Sequence, residues 1–199
     1  ERLLSPNTFC ERSVMFDLNY FKYCFLKTAD LPFDEMRLED DFEALTKDLI
    51  EGVDNEDFFL YRDFQSRNVM IRNTNSYMID FQGGRRGPLP YDLASFLWQA
   101  SAGYPQALRD RLIEEYLDEL NSLRPMDREQ FRSDLQRFVL FRLLQVLGAY
   151  GLRGRFGRKP YFLQSIPPAL ENVHALLATG VASAYPTLES VLRKLSQQK

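Results

Sequence analysis

Histidine is nearly absent from this chain: His174 is the single one. That excludes a His-rich metal centre and argues against a Ser-His-Asp nucleophilic triad. Cysteine is scarce as well. Cys10 and Cys24 are too few for a disulfide framework, so a reducing, cytoplasmic setting is expected. No apolar run approaches the roughly 20 residues that span a bilayer. The opening ERLLSPNTFCERS lacks the basic-then-apolar order of a signal peptide. Neither sign of charge dominates: 25 Lys and Arg stand against 28 Asp and Glu, for a net charge of -3. With a pI near 5.3 the chain offers little field to nucleic acid or to an anionic membrane, and neither is expected as a partner. Glycine is sparse at the start, where Gly52 is the only one ahead of Asp63.

What is present suffices for one well-buried core, with 45% hydrophobic residues over a length of 199. The aromatic-rich stretch from Arg12 to Lys27 has helical spacing and reads as a mostly buried helix, broken at Leu31-Pro32. A second helix is expected from Arg37 to Glu51, ended by Gly52. Phe58 to Tyr61 reads as a short buried strand. Val69-Met70-Ile71 and Tyr77-Met78-Ile79 flank a polar turn in which Asn73 and Asn75 tolerate left-handed geometry, so a hairpin is expected. Gly83-Gly84 and Gly87-Pro88 mark an irregular loop. Beyond Pro90 the pattern predicts helices over Tyr91–Ala102, Pro105–Leu120, Asp127–Tyr150, Pro167–Thr179 and Pro186–Lys194. The expected fold class is mainly α with a few short β-strands (α+β), one domain over residues 1–199.

Residues 61–97 read YRDFQSRNVMIRNTNSYMIDFQGGRRGPLPYDLASFL. Asp63 is followed five positions later by Asn68, and Asp80 closes the next apolar run as Ile79-Asp80-Phe81. Phosphoryl transfer asks a protein for positioning and charge neutralisation more than for covalent chemistry. Asp63, at the end of a strand, can accept the proton of an attacking hydroxyl and aim it at a γ-phosphorus. Asn68 presents a neutral carbonyl oxygen to a hard cation. Asp80 presents a carboxylate to the same cation or a second one, and oxygen donors suit Mg²⁺. Two carboxylates ~5 Å apart repel by roughly 3 kcal/mol at an effective dielectric of 20, and a divalent ion removes that penalty. Singly, each residue has an ordinary explanation as a turn or helix cap. Jointly, across residues 57–94, they read as a catalytic segment.

This segment resembles the catalytic core of the aminoglycoside phosphotransferase and choline kinase superfamily, small-molecule relatives of protein kinases. The signature there is H-x-D-x4-N, then two apolar residues and an aspartate, then a glycine ahead of D-L-A. Tyr61-Arg62-Asp63 with Asn68, Met78-Ile79-Asp80, and Gly87 with Asp92-Leu93-Ala94 stand in those places. The resemblance implies Asp63 as catalytic base, Asn68 and Asp80 as Mg²⁺ ligands, and ATP as phosphate donor. It makes Tyr61, Arg62 and Asp92 supports of the loop, with Asp92 anchoring it from the start of a helix. Two departures stand out. Tyr61 replaces a histidine that packs and hydrogen-bonds beneath the loop, and Phe81-Gln82-Gly83 replaces the commoner D-F-G or D-W ending. Within the superfamily the motifs are most similar to bacterial amino-sugar kinases, which phosphorylate N-acetylmuramate or N-acetylglucosamine at the anomeric hydroxyl. The resemblance therefore implies transfer of the ATP γ-phosphate to a hydroxyl of a small polar molecule, an amino sugar or aminoglycoside-like acceptor.

In that superfamily the ATP phosphates lie under a loop and a lysine of an N-terminal β-rich lobe. The stretch before Asp63 reads as helical, and Lys22 and Lys27 fall on a helix, so no such lobe is evident. The chain is therefore expected to be a C-terminal lobe alone, an excised piece beginning at Glu1, whose missing N-terminal lobe belongs to the same protein. Such a piece is expected to bind nucleotide weakly and not to turn over. Two other classes stay open: a pseudokinase-like or interaction module without catalysis, and a helical binding protein in which Asp63, Asn68 and Asp80 have no reason to cluster.

Secondary candidates carry two readings each. In related amino-sugar kinases the helix corresponding to Arg12–Lys27 lines the acceptor pocket. Asp17 and Asn19 either hold acceptor hydroxyls there or belong to a polar helix face. Arg153 and Arg155, in the acid-free run GLRGRFGRK, either guide an anionic acceptor or sit on a solvated basic loop. Arg62 and Arg67 either touch phosphate or pair with Asp92 or Glu39. Arg85 and Arg86 raise the positive potential after Asp80, which suits ATP. Phe96, Trp98 and Tyr104 read as core, His174 as helix packing, and Gln145 and Tyr150 as possible lining of an acceptor pocket.

Overall fold

A computed structural model of the chain describes residues 8–51, 58–80 and 83–197. In chain order the elements are α1 (Glu11–Cys24), α2 (Glu35–Ile50), β1 (Phe59–Leu60), β2 (Val69–Arg72), β3 (Asn75–Met78), β4 (Arg85–Arg86), α3 (Pro90–Leu97), α4 (Gln106–Leu123), α5 (Arg128–Tyr150), α6 (Pro160–Gln164), α7 (Ile166–Leu177) and α8 (Pro186–Gln197). The chain is thus mainly helical with a few short strands. Gly52, where the second helix was expected to end, and Phe81-Gln82 lie outside the described residues.

α5 is the axis of the packing. Its buried side chains, from Phe131 and Leu135 through Phe138, Val139, Leu140, Phe141, Leu143, Leu144 and Leu147, point all round the helix. A helix apolar on every face has to be surrounded, and α1, α3, α7 and α2 all pack on it. Each fully buried Leu or Phe contributes about 2 kcal/mol. Two glycines set how closely α1 can lie. A Cβ on Gly148 would stand 2.9 Å from the Phe21 nitrogen, and one on Gly151 would stand 2.1 Å from the Cys24 carbonyl oxygen. Only a hydrogen fits at either position, so backbone meets backbone there.

Helix starts follow local chemistry. Asp34 accepts from the amides of Met36 and Arg37, at 3.1 and 3.2 Å, which sets the start of α2 at Glu35 rather than Arg37. Asp127 does the same for α5 through Glu129 and Gln130. Pro90, Pro160 and Pro186 occupy first turns. α3 stops at Leu97, five residues before the expected end, because Gln99 is extended and Gly103 is left-handed. The basic run after α5 is helical in its first part, and Arg158 and Lys159 beyond it are exposed. Gly151–Phe156 continues the helix as a wide π turn before α6.

The strands form two small antiparallel ladders. β2 and β3 pair as Val69↔Met78, Met70↔Tyr77, Ile71↔Ser76 and Arg72↔Asn75. Asn73 (φ 50) and Thr74 (φ 70) make the two-residue turn, so Asn75 is in the strand rather than the turn. β1 pairs with β4, Phe59↔Arg86 and Leu60↔Arg85, and Phe9 donates its amide to the Arg86 carbonyl at 2.8 Å. The expected buried strand over Phe58–Tyr61 is buried on one side only: Leu60 is buried, but Phe59 is 60% exposed. A two-residue strand in a two-stranded ladder has one face toward the helices and one toward water.

Candidate active site

β1 delivers the chain into a loop, residues 61–68, that closes in a single 3-10 turn (Ser66–Asn68) and runs directly into β2. Asp63 therefore lies in a loop, not at a strand end. Asp92, in the first turn of α3, accepts from the amides of Tyr61 at 2.6 Å and Arg62 at 2.9 Å. Burial pushes the Asp92 carboxyl above its ordinary value, and those two amides oppose the shift. The Tyr61 hydroxyl donates to the Ile79 carbonyl, joining the loop to the residue before Asp80. Asn68 is buried and donates its side-chain amide to the Asp63 carbonyl at 2.8 Å, which leaves its Oδ1 as a ligand atom. The Asn68 carbonyl in turn accepts from the Ile79 amide at 2.9 Å. One side-chain bond thus joins Asn68 to Asp63, and one backbone bond joins Asn68 to Ile79, the residue before Asp80.

Arg62 and Asp80 both adopt left-handed backbone, at φ 74 and φ 64. Such geometry costs about 1–3 kcal/mol per non-glycine residue and persists where surrounding bonds impose it. Here it turns both side chains toward a cavity of about 350 Å³.

Asp63 and Asp80 line that cavity, and so does Asp17 of α1. Arg62, Arg67, Arg142 and Arg153 line it as well. One wall is a hydrogen-bonded set carried by three helices. Gln145 of α5 donates to the Asp17 carboxylate at 2.6 Å and accepts from the Tyr91 hydroxyl at 3.1 Å. Arg142 donates to the same Gln145 oxygen, to the Tyr91 hydroxyl at 3.1 Å and to Ser95 Oγ at 2.9 Å. Burial pushes the Asp17 carboxyl above its ordinary value, partly offset by the Gln145 bond and by Arg142, Arg62 and Arg85.

Of the other residues singled out from sequence, Gln145, Tyr150 and Arg153 reach the cavity. Asn19 and Arg155 do not line it. Asn19 donates back to the Met15 carbonyl, and Arg155 turns to the Phe25 carbonyl and ring and to Thr28. Glu39 pairs with Lys22 rather than with Arg62 or Arg67. Trp98 lines the cavity instead of being wholly core, with the Arg109 guanidinium 5.1 Å over its ring. Tyr91, Ser95 and Arg142 were not anticipated. A signal existed: polar groups at i, i+4 in α3 (Tyr91, Ser95) and i, i+3 in α5 (Arg142, Gln145) interrupt otherwise apolar helices on one face.

No group of three or more His, Cys, Asp or Glu side chains able to hold a metal occurs among the described residues. The donors here are hard oxygens, the Asp80 carboxylate and the Asn68 amide oxygen, with Asp63 on the same cavity. That set fits Mg²⁺, which is held by one or two protein carboxylates and completes its shell with water and phosphate.

Comparison with known proteins places these residues in context. A family model described as the phosphotransferase enzyme family matches residues 25–127. Over 112 residues the sequence is 25% identical to N-acetylmuramate/N-acetylglucosamine kinase of Pseudomonas aeruginosa, an alignment covering 55% of this chain and 33% of that protein. The chain thus spans about a third of the length of the curated relative it matches.

Proposed function

The chain belongs to the phosphotransferase enzyme family, and from that premise we propose that it carries the acceptor-side catalytic machinery of an ATP- and Mg²⁺-dependent small-molecule kinase. The supporting observation is that Asp63 and Asp80 open on one cavity while Asn68 is tied to the Asp63 carbonyl. Asp63 takes the proton of an acceptor hydroxyl and points that oxygen at the γ-phosphorus. Asp80 and the Asn68 oxygen would hold the cation, which would supply neutralisation of phosphate charge. Asp92 keeps the Tyr61–Arg62 amides fixed, so that Asp63 does not wander from the acceptor.

The acceptor is a hydroxylated ring compound of amino-sugar type. Asp17 and Gln145 offer hydrogen-bonding groups at the cavity wall, and Arg142 and Arg153 supply positive charge for an anionic substituent or for the phosphate. The relationship to an amino-sugar kinase agrees with that class. The test is ATP-dependent phosphorylation of a panel of amino sugars and amines by the protein that carries this chain. Product is expected with an amino sugar and to vanish on chelation of divalent metal. Product formed only with an unrelated amine overturns the acceptor class, and metal-independent turnover overturns the role of Asp80.

A further inference from the structure

We propose that Gln99 is a positioning residue for the half of the loop that carries Asn68. This rests on the function proposed above. Asp92 secures only the start of the loop, at Tyr61 and Arg62. Asp63 and Asn68 lie further along, and a loop pinned at one end leaves their spacing free to vary. The structure supplies two more points of hold, one from the same helix and one just past its end. Phe96, one turn after Asp92, stacks on Phe64 with ring centroids 4.7 Å apart. Gln99, one residue past the Trp98 cap of α3, accepts at Oε1 from both the Ser66 amide (2.9 Å) and the Ser66 hydroxyl (3.0 Å).

Asp92 and Phe96 stand at i and i+4 on one face of α3, and Gln99 follows on extended backbone just beyond the end of that helix. They meet loop positions 61–62, 64 and 66 in the same order. The loop is therefore laid along α3 in register, and Ser66 is the attachment nearest Asn68. Gln99 is itself fixed, because its Nε2 donates to Ser101 Oγ at 2.8 Å. The Ser66 backbone amide can only donate, so the oxygen end of Gln99 faces it and the nitrogen end turns to Ser101. The Gln99 oxygen is thereby aimed at the first amide of the Ser66–Asn68 turn, whose third residue donates to the Asp63 carbonyl. Gln99 also lines the cavity, but a displacement near 1 Å at a reacting group can cost about 10²-fold in rate, so its amide oxygen acts on turnover through Ser66.

Gln99→Ala and Gln99→Glu in the full-length protein test the assignment, the second keeping the oxygen that Ser66 needs. Gln99→Ala is expected to lower kcat by about 30-fold with KM for acceptor and nucleotide within about two-fold, because only transition-state alignment is lost. Gln99→Glu is expected to stay within about three-fold of the parent. Unchanged kcat in the alanine variant, a rise in KM alone, or equal damage in both variants overturns the proposal. If the parent protein phosphorylates nothing, the functional assignment fails and the positioning role is read by amide exchange. Gln99→Ala should then speed exchange at Ser66 by about ten-fold or more while α5 is unaffected. Unaltered exchange at Ser66 overturns it.

Discussion

The crossing of α1 and α5 and the β2–β3 hairpin are opposites in packing. At the crossing, Gly148 and Gly151 bring two backbones into contact, and Leu18, Phe21 and Phe25 are wholly buried against Leu144 and Leu147. In the hairpin, Met70, Ile71, Tyr77 and Met78 are each more than half exposed, and two residues of the turn are left-handed. The residues proposed for chemistry sit between these extremes, near the open end of the hairpin where Ile79 bonds to Asn68. They are kept in place by a few directed bonds rather than by surrounding side chains. A scaffold of the first kind resists displacement everywhere, whereas a segment of the second kind is only as fixed as its anchors. Removing a side chain from each should therefore have different consequences.

The largest expected effect separates function from fold. Asp63→Ala should reduce phosphorylation of the acceptor by about 10²-fold or more and move Tm by no more than about 2 °C, since Asp63 is exposed and its carboxylate supports no packing. A stability loss comparable to the activity loss would contradict that separation. Gly151→Ala should do the reverse. Its methyl would meet the Cys24 carbonyl, and overpacking against backbone is expected to cost about 3 kcal/mol. Thermal unfolding followed by circular dichroism should show Tm falling by roughly 6–12 °C. A variant as stable as the parent would mean that α1 and α5 do not touch there.

A smaller effect is expected at Asp17, where burial raises the carboxyl above its ordinary value of 3.8. The folded protein then holds that proton more tightly than the unfolded chain does. Ionising Asp17 therefore lowers stability as pH climbs through the ordinary value and past the folded one. Asp17→Asn should raise Tm at pH 7 by about 2 °C, with the gain gone once pH falls below 3.8. A gain that persists in acid would have another origin. The mildest change belongs to the hairpin turn. Thr74→Gly relieves a branched residue at φ 70 and should slow amide exchange within β2 and β3 by about five-fold, leaving α5 unchanged. Slowing across both regions would show that hairpin and scaffold unfold as one unit.

Much of this was legible in the chain. The helix expected over Asp127–Tyr150 matches α5, and Asp127 turns out to be its cap. Of the spaced set Asp63, Asn68, Asp80 and Asp92, the first and third line one cavity, Asn68 bonds to the Asp63 carbonyl, and Asp92 holds the amides of Tyr61 and Arg62. Local rules could not supply what depends on crossing elements. β4 is only Arg85 and Arg86, polar and two residues long, and pairs with β1 across 24 intervening residues. Arg142, Ser95 and Tyr91 converge only because α3 packs on α5. Arg153 and Arg155 looked equivalent in sequence, yet the π turn sends the first to the cavity and the second to the end of α1. Which of the apolar hairpin residues face water was equally hidden, because Val69-Met70-Ile71 and Tyr77-Met78-Ile79 lack alternation.

The glycine pair at the end of α5 and the start of the π turn also governs how the cavity can evolve. With no atoms left to remove between Gly148, Gly151 and α1, the Asp17 wall cannot be drawn inward by substitution. Enlarging either residue pries the whole wall away from the core. Width at that side is a fixed dimension of the fold. Natural or engineered change in what the pocket admits is expected at other lining residues, such as Tyr161 and Phe162 of α6.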